Sequence, residues 1–289
     1  MINKGLSRLG TFFLYLISLL PFWLLYLLAD ALFVVLYHLI GYRRKVTQEN
    51  LRNSFPEKSD GERADIERKY YRYLADLMLE IIKMTSISKK QLQRRMVCTN
   101  PQWADEHKAA GKSITAVTGH YCNWEWVSLE FSTHTRLFVV YKTLADEVMD
   151  NYFLRMRTRF GAVGVPMPQT LKTCLAHKDE FTVSAFAGDQ TPPMATANYF
   201  TVFLNQPTAV FLGIEKIAKR VDSAVIFCDM RRIKRGYYEY TMVSLIEDAK
   251  NTAEYEITEA HTKYLEAMIR REPQYWLWSH KRWKLKPKT

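Results

Sequence analysis

Ser113-Ile114-Thr115-Ala116-Val117-Thr118-Gly119-His120-Tyr121-Cys122-Asn123-Trp124-Glu125 compresses an apolar strand, a glycine-bearing turn and the start of a helix into one segment. Working outward from it, strand-like runs recur at Leu137–Tyr141, Phe181–Phe186, Ala224–Asp229 and Tyr237–Leu245. Helical stretches fall between or beyond them at Asn123–Ser132, Asp146–Phe160, Gln169–Ala176, Pro207–Arg220 and Ala253–Arg271. This alternation predicts an α/β fold with a central sheet flanked by helices. The Arg235-Gly236 turn joins the last two strands and predicts an antiparallel pair, so the sheet is mixed. No linker rich in Pro, Gly or Ser interrupts the region and no internal repeat is visible, so residues 43–289 are read as one domain.

Upstream, Gln48 to Phe55 reads as the end of a basic amphipathic helix, stopped by Phe55-Pro56. Ser59-Asp60-Gly61-Glu62 has the form of a capping box. The helix it opens carries Leu74, Leu77, Met78, Ile81 and Ile82 at helical spacing, predicting one buried stripe. Before this, residues 1–42 form a membrane-anchor segment. Gly10 to Ala29 is free of charge and long enough to cross ~30 Å of hydrocarbon as a helix. Pro21 either kinks that helix or divides it into two halves dipping into one leaflet. A cleaved signal peptide fits less well, because the apolar run continues past the Ala29-Asp30-Ala31 cleavage-like site to Ile40.

Of the 289 residues, 48% are hydrophobic and 25% charged, which suits a packed core and argues against disorder. A net charge of +11 points to an anionic partner: nucleic acid, acidic lipid headgroups or an acidic carrier protein. The four cysteines (Cys98, Cys122, Cys174, Cys228) form no CxxC pair and no cluster with histidine. They read as free thiols in a reducing compartment, which places the domain on a cytoplasmic face, with no metal site expected.

His120 and Glu125 suggest a general base and the carboxylate that orients it. On one ideal helix they would be rotated by about 140° from each other. They meet only if His120 ends the strand and Asn123–Glu125 make the first helical turn. Glu125 would then accept the Nδ1–H, leaving Nε2 to take a proton from a substrate hydroxyl. The bland alternative is a packed loop histidine and a first-turn acid favoured by the helix dipole. A Cys122 thiol activated by His120 is a further alternative with poor geometry.

These residues belong to a longer series. Asn50-Leu51-Arg52-Asn53-Ser54-Phe55-Pro56, Gly119–Glu125, Arg157-Thr158-Arg159-Phe160-Gly161, Gly188-Asp189-Gln190 and Pro273-Gln274-Tyr275-Trp276-Leu277-Trp278-Ser279-His280-Lys281-Arg282-Trp283 occur in that order. In this the chain resembles the late acyltransferases of lipid A biosynthesis, the lauroyl and myristoyl transferases, over nearly its whole length. The resemblance implies a glycerolipid-acyltransferase-like fold. It also implies an inner-membrane enzyme with its catalytic domain on the cytoplasmic face. Such an enzyme passes a fatty acyl group from acyl-acyl carrier protein to a hydroxyl of a lipid A precursor, with no cofactor and no acyl-enzyme. It makes His120 and Glu125 the catalytic dyad. Arg157 is then a holder of phosphate or developing negative charge, and Asp189 a residue that positions the acceptor or supports Arg157. Asn123, Arg159 and Gln190 are further candidates for substrate contact.

Related glycerolipid acyltransferases carry aspartate at the position of Glu125 and F-P-E-G-T where this chain has Ala187-Gly188-Asp189-Gln190-Thr191. This favours the lipid A branch. The short Thr191–Tyr199 loop and Tyr199-Phe200-Thr201-Val202-Phe203-Leu204 differ from the best-known enterobacterial members, leaving acyl length and glycolipid open. The basic, tryptophan-bearing tail from Ser279 to Lys288, with Trp276 and Trp278 just before it, suits anionic lipid at headgroup depth. That tail or the Arg231–Arg235 turn also suits an acidic carrier protein. Nucleic-acid binding would explain the charge but neither the apolar segment nor the His/Glu block. Acylation of another lipid, or a membrane scaffold without activity, are the remaining alternatives. The sequence leaves the oligomeric state open.

Overall fold

The structure, a computed structural model, describes residues 4–287; residues 1–3 of the anchor segment and Lys288 and Thr289 of the tail lie outside the described residues. Pro21 divides the apolar N-terminus into α1 (Lys4–Leu19) and α2 (Phe22–Phe33), and α2 is continued by wider turns to Leu39. Next come α3 (Arg44–Ser54), α4 (Asp60–Lys83), α5 (Lys89–Gln93), β1 (Met96–Cys98) and α6 (Gln102–Ala109). The alternation then runs β2 (Ile114–Thr118), α7 (Trp124–Phe131), β3 (Leu137–Tyr141), α8 (Glu147–Thr158), β4 (Val163–Pro166), α9 (Thr170–Ala176) and β5 (Val183–Ala187). It ends with β6 (Phe200–Phe203), β7 (Gln206–Ala209), α10 (Gly213–Val221), β8 (Ala224–Lys234), β9 (Tyr237–Ile246) and α11 (Glu256–Arg271).

Seven strands form one sheet in the order β1-β9-β8-β2-β5-β3-β4, and helices cover it. The inner strands β8, β2, β5 and β3 run parallel, and β9 turns back antiparallel to β8, so the sheet is mixed as expected. Strand β2 is buried at every position, as a strand covered on both faces must be. The β8–β9 turn needs glycine at 236: φ is +73°, and a Cβ there would meet the Tyr26 hydroxyl at 1.8 Å.

Two sequence expectations fail locally. The helix expected from Pro207 begins only at Gly213, because Gln206–Ala209 pairs with Phe200–Phe203 as a hairpin. Its turn residues Leu204 and Asn205 both have positive φ (+49° and +62°), as a two-residue hairpin loop demands. The stripe on α4 is also drawn differently. Met78 is exposed while Tyr70, Tyr73, Ala75 and Leu79 are buried beside Leu74 and Leu77. Helix α4 packs against α1, α2 and α3 as well as against the Pro273–Tyr275 turn before the tail, so more than one face is covered. Its capping box forms as predicted: Ser59 Oγ accepts the Glu62 N–H, and Glu62 Oε2 accepts the Ser59 N–H.

The N-terminal helices are docked on the domain. Leu25, Ala29, Phe33 and Leu36 are buried. The buried Lys83 ammonium donates to the Ser18 and Leu20 carbonyls at 2.7 and 2.8 Å, satisfying the C-terminus of α1. Arg235 reaches both Asp30 on α2 and Asp76 on α4. The opposite face of α1 and α2 leaves Leu9, Phe12, Phe13, Leu16, Leu19, Trp23 and Leu27 exposed.

Candidate active site

Parallel pairing of β2 with β5 sets Thr118 opposite Ala187, and the Gly188 N–H extends the ladder to the Thr118 carbonyl at 3.0 Å. Two residues beyond each strand end, His120 and Asp189 therefore face one another at the carboxyl edge of the sheet. Open α/β sheets characteristically bind ligands at this edge. Asp189 Oδ1 accepts the imidazole Nδ1–H at 2.6 Å, and Oδ2 accepts the His120 backbone N–H at 2.9 Å. Oδ2 also accepts the Trp276 indole N–H at 2.7 Å. Asp189 is 4% exposed and His120 17%.

Burial opposes charge on both groups, but each stabilises the other more. The carboxyl of Asp189 is held far below the ordinary carboxylate range by His120 and its three donors. The imidazole is raised above the usual histidine value by Asp189. With Nδ1–H committed to Asp189, Nε2 carries the lone pair and takes the Gln190 side-chain amide at 3.0 Å. The ring thus has one nitrogen held by a buried carboxylate and one turned to an exposed partner.

The expected His120–Glu125 bond is not made; this is a correction to the sequence reading. Glu125 lies in the first turn of α7, and both of its oxygens are held in a fork by Arg157 on α8, at 2.8 and 2.5 Å. Burial would push the Glu125 carboxyl up, but Arg157 outweighs it and holds the group below its usual range. The expected partners have exchanged: Asp189 orients the histidine, and Glu125, not Asp189, supports Arg157. The exchange follows from strand pairing, which brings residue 189 to residue 120, whereas the turn through Cys122 carries residue 125 onto the helix.

That turn is tightly set. Cys122 has φ +45°, its N–H bonds to the Tyr275 carbonyl, and the Leu277 N–H bonds to the His120 carbonyl. The thiol is buried, which pushes its pKa well above the usual value, so the thiolate chemistry considered from the sequence is disfavoured. All four cysteines are free. Asn123 is fully buried and both ends of its side chain are bonded within the fold. It caps α7 through Oδ1 to the Trp126 N–H and donates from Nδ2 to buried Glu80. Arg159 donates to the Met84 and Ile87 carbonyls beyond the end of α4, so it serves that helix terminus and not the site. Among the described residues no three His, Cys, Asp or Glu side chains gather as a metal would require.

The tryptophans of the tail, expected at headgroup depth, instead wall the site, while Lys281, Lys284 and Lys286 are exposed. Trp276, Trp278 and Trp283 are buried, their indole N–H groups satisfied by Asp189, the Pro273 carbonyl and Thr208 Oγ1. The Asn50–Pro56 element holds it there. Asn50 donates to the Trp278 and His280 carbonyls, and Phe55 packs on Trp278. Trp276, which the sequence suggested for a lipid headgroup surface, is the residue of the site whose role there the sequence missed; its only signal for the site was a place within a motif.

Comparison with known proteins agrees over the length of the chain. The family described as bacterial lipid A biosynthesis acyltransferase matches residues 1–285. A lipid A biosynthesis acyltransferase of Haemophilus influenzae is 25% identical over 277 residues, covering 93% of this chain and 85% of that protein.

Proposed function

Because the chain belongs to the bacterial lipid A biosynthesis acyltransferases, and is an acyl-transfer enzyme of that class, we propose that it acylates a hydroxyl of a lipid A precursor with His120 as general base. The observation that carries this reading is the Asp189–His120 pair, with Nδ1 fixed and Nε2 turned outward at the carboxyl edge of β2 and β5. The donor is an acyl-acyl carrier protein thioester, and no further cofactor takes part. When Gln190 swings aside, the acceptor hydroxyl bonds to Nε2 and gives up its proton as its oxygen attacks the thioester carbonyl. Collapse of the tetrahedral intermediate breaks the C–S bond. The imidazolium, stabilised by Asp189, returns the proton to the leaving thiolate. No acyl-enzyme forms. Arg157, with Nε and Nη2 on Glu125, presents a cation beside the histidine that suits a substrate phosphate or the developing oxyanion.

The enzyme works at the cytoplasmic face of the inner membrane, held by the exposed apolar face of α1 and α2. Phe22–Leu39 is long and apolar enough to cross a bilayer. In the docked position, however, Asp30 lies within that stretch and is paired with Arg235 of the β8–β9 turn. A crossing would draw this ion pair into hydrocarbon at substantial cost. The pairing favours helices lying in one leaflet.

The test is incubation of purified protein with acyl-carrier thioester and lipid A precursor, followed by mass analysis of the lipid. An added acyl mass with wild type, and none with His120→Ala, is expected. Acylation of lysophospholipid alone would move the reading to another lipid, and no product from either acceptor would leave a scaffold.

A further inference from the structure

Behind the carboxylate of Asp189, on the face of the sheet covered by α10 and α11, lies a narrow cavity. Phe203, Val210, Phe227 and Leu265 form its apolar walls. Five polar side chains also line it: the hydroxyls of Thr118 and Thr262, which donate to the Gly119 and Thr258 carbonyls, and Asp189, His261 of α11 and Arg282 of the tail. His261 is 4% and Arg282 3% exposed. Nε2 of His261, and Nε and Nη1 of Arg282, find no hydrogen-bond partner among the described residues. A buried guanidinium with two unmatched N–H groups costs several kcal/mol, on the order of 1–3 for each, unless something in the cavity accepts them. Asp189 is the only carboxylate lining the space, and it has used three of about four acceptor positions.

We propose that the cavity is the site of one water molecule, through which Arg282 and His261 act as positioning residues for the Asp189–His120 pair. The water accepts an Nη1–H of Arg282 and donates one hydrogen to the remaining lone pair of Asp189 Oδ1 and the other to His261 Nε2. Three partners, one donor and two acceptors, are the usual number for a buried water. A neutral imidazole fits the last place: burial drives His261 down to about 4, against the pull of Glu215, Asp189 and Glu259. A small anion fits worse, because it would face both the Asp189 carboxylate and a nitrogen lone pair. Arg282 then steadies the carboxylate against which the catalytic ring is set, which explains why it is buried while Lys281, Lys284 and Lys286 are exposed. The groups facing His120 itself are Asp189, Glu125 and Arg157, and His280 stands nearby, kept neutral by burial at about 4.

This inference rests on His120 being the base, and the experiment separates the two. The pH dependence of kcat/KM for acyl transfer is measured with wild type, Arg282→Met and Arg282→Lys, alongside a crystal structure of the full wild-type chain in detergent. Removal of the cation lets the imidazolium persist to higher pH. The acid limb of Arg282→Met should therefore move up by roughly half to one pH unit, while Arg282→Lys keeps the wild-type limb. The crystal should hold one water within hydrogen-bond distance of Asp189, Arg282 and His261. If Arg282→Met does not fold, His261→Leu gives the answer: kcat several-fold lower at unchanged KM, restored by His261→Gln. A wild type without an acid limb removes the base itself. A wild-type limb that Arg282→Met leaves in place, a His261→Leu enzyme of normal kcat, or an anion or hydrocarbon in the cavity overturns the water site alone.

Discussion

Replacing Asp189 with asparagine changes one atom of the side chain and reverses the logic of the site. Oδ2 accepts two protein N–H groups, from the His120 backbone and Trp276, while Oδ1 accepts one, the imidazole Nδ1–H. The amide oxygen must therefore take the Oδ2 place, since the opposite orientation would bury two unmet donors at about 1–3 kcal/mol each. The NH2 then points at Nδ1, which must become an acceptor, and the ring proton moves to Nε2. A protonated Nε2 cannot take a proton from the acceptor hydroxyl. The same tautomer fault in the serine-protease triad lowers kcat by about 10⁴. A loss of 10³–10⁴ in kcat is expected here, about 4–5.5 kcal/mol of transition-state stabilisation. KM for either substrate should change little, because Asp189 is buried behind the ring. The assay is steady-state acyl transfer in mixed micelles, with a melting curve to confirm folding. Asp189→Asn within tenfold of wild-type kcat, with Glu125→Gln inactive, would show that Glu125 and not Asp189 orients the base in turnover.

Three further outcomes follow from the same geometry. His120 must be neutral to act and its pKa is raised, so kcat/KM should fall as pH drops, with a midpoint above about 6.5; a rate flat down to pH 5 contradicts this. In stability the signs differ. The contribution of His120 is full below about pH 6.5 and fades as pH rises through its raised value, and that of Asp189 is present above about pH 4 and is lost as pH falls through its depressed one. Trp276→Phe removes a charge-assisted bond of roughly 1.5–3 kcal/mol to Asp189 and should lower kcat more than it raises KM, as a kcat-against-KM comparison will tell. Changing Leu9, Phe13, Leu16 and Trp23 together to serine should release the protein from liposomes in a flotation assay while leaving its melting temperature within a few degrees, since all four are exposed.

What the sequence disclosed was local. The strand 114–118, the capping box at Ser59 and the break at Pro21 each depend on neighbours within a turn or two, and each stands where its residues put it. What it withheld was long-range. That β5 lies beside β2 is decided by the packing of the whole sheet, so nothing near His120 in sequence announces Asp189, 69 positions on, as its partner. For the same reason Glu125, near in sequence, looked like the orienting group. The tail misled in another way: tryptophan and arginine at a basic terminus fit a lipid surface or a buried wall equally well by composition. Asn50 and Ser54, whose role could be seen only with the tail in place, decide for the wall by bonding it and the β6–β7 turn.

The imidazole proton itself offers the sharpest trial. Proton NMR of the detergent-solubilised enzyme, with ¹⁵N-labelled histidine, reports the Nδ1–H of His120 as a low-field resonance while it is held by a carboxylate. That resonance should be present in wild type and in Glu125→Gln and absent from Asp189→Asn. Its survival in Asp189→Asn, with loss in Glu125→Gln, would contradict the pairing on which the proposed chemistry stands.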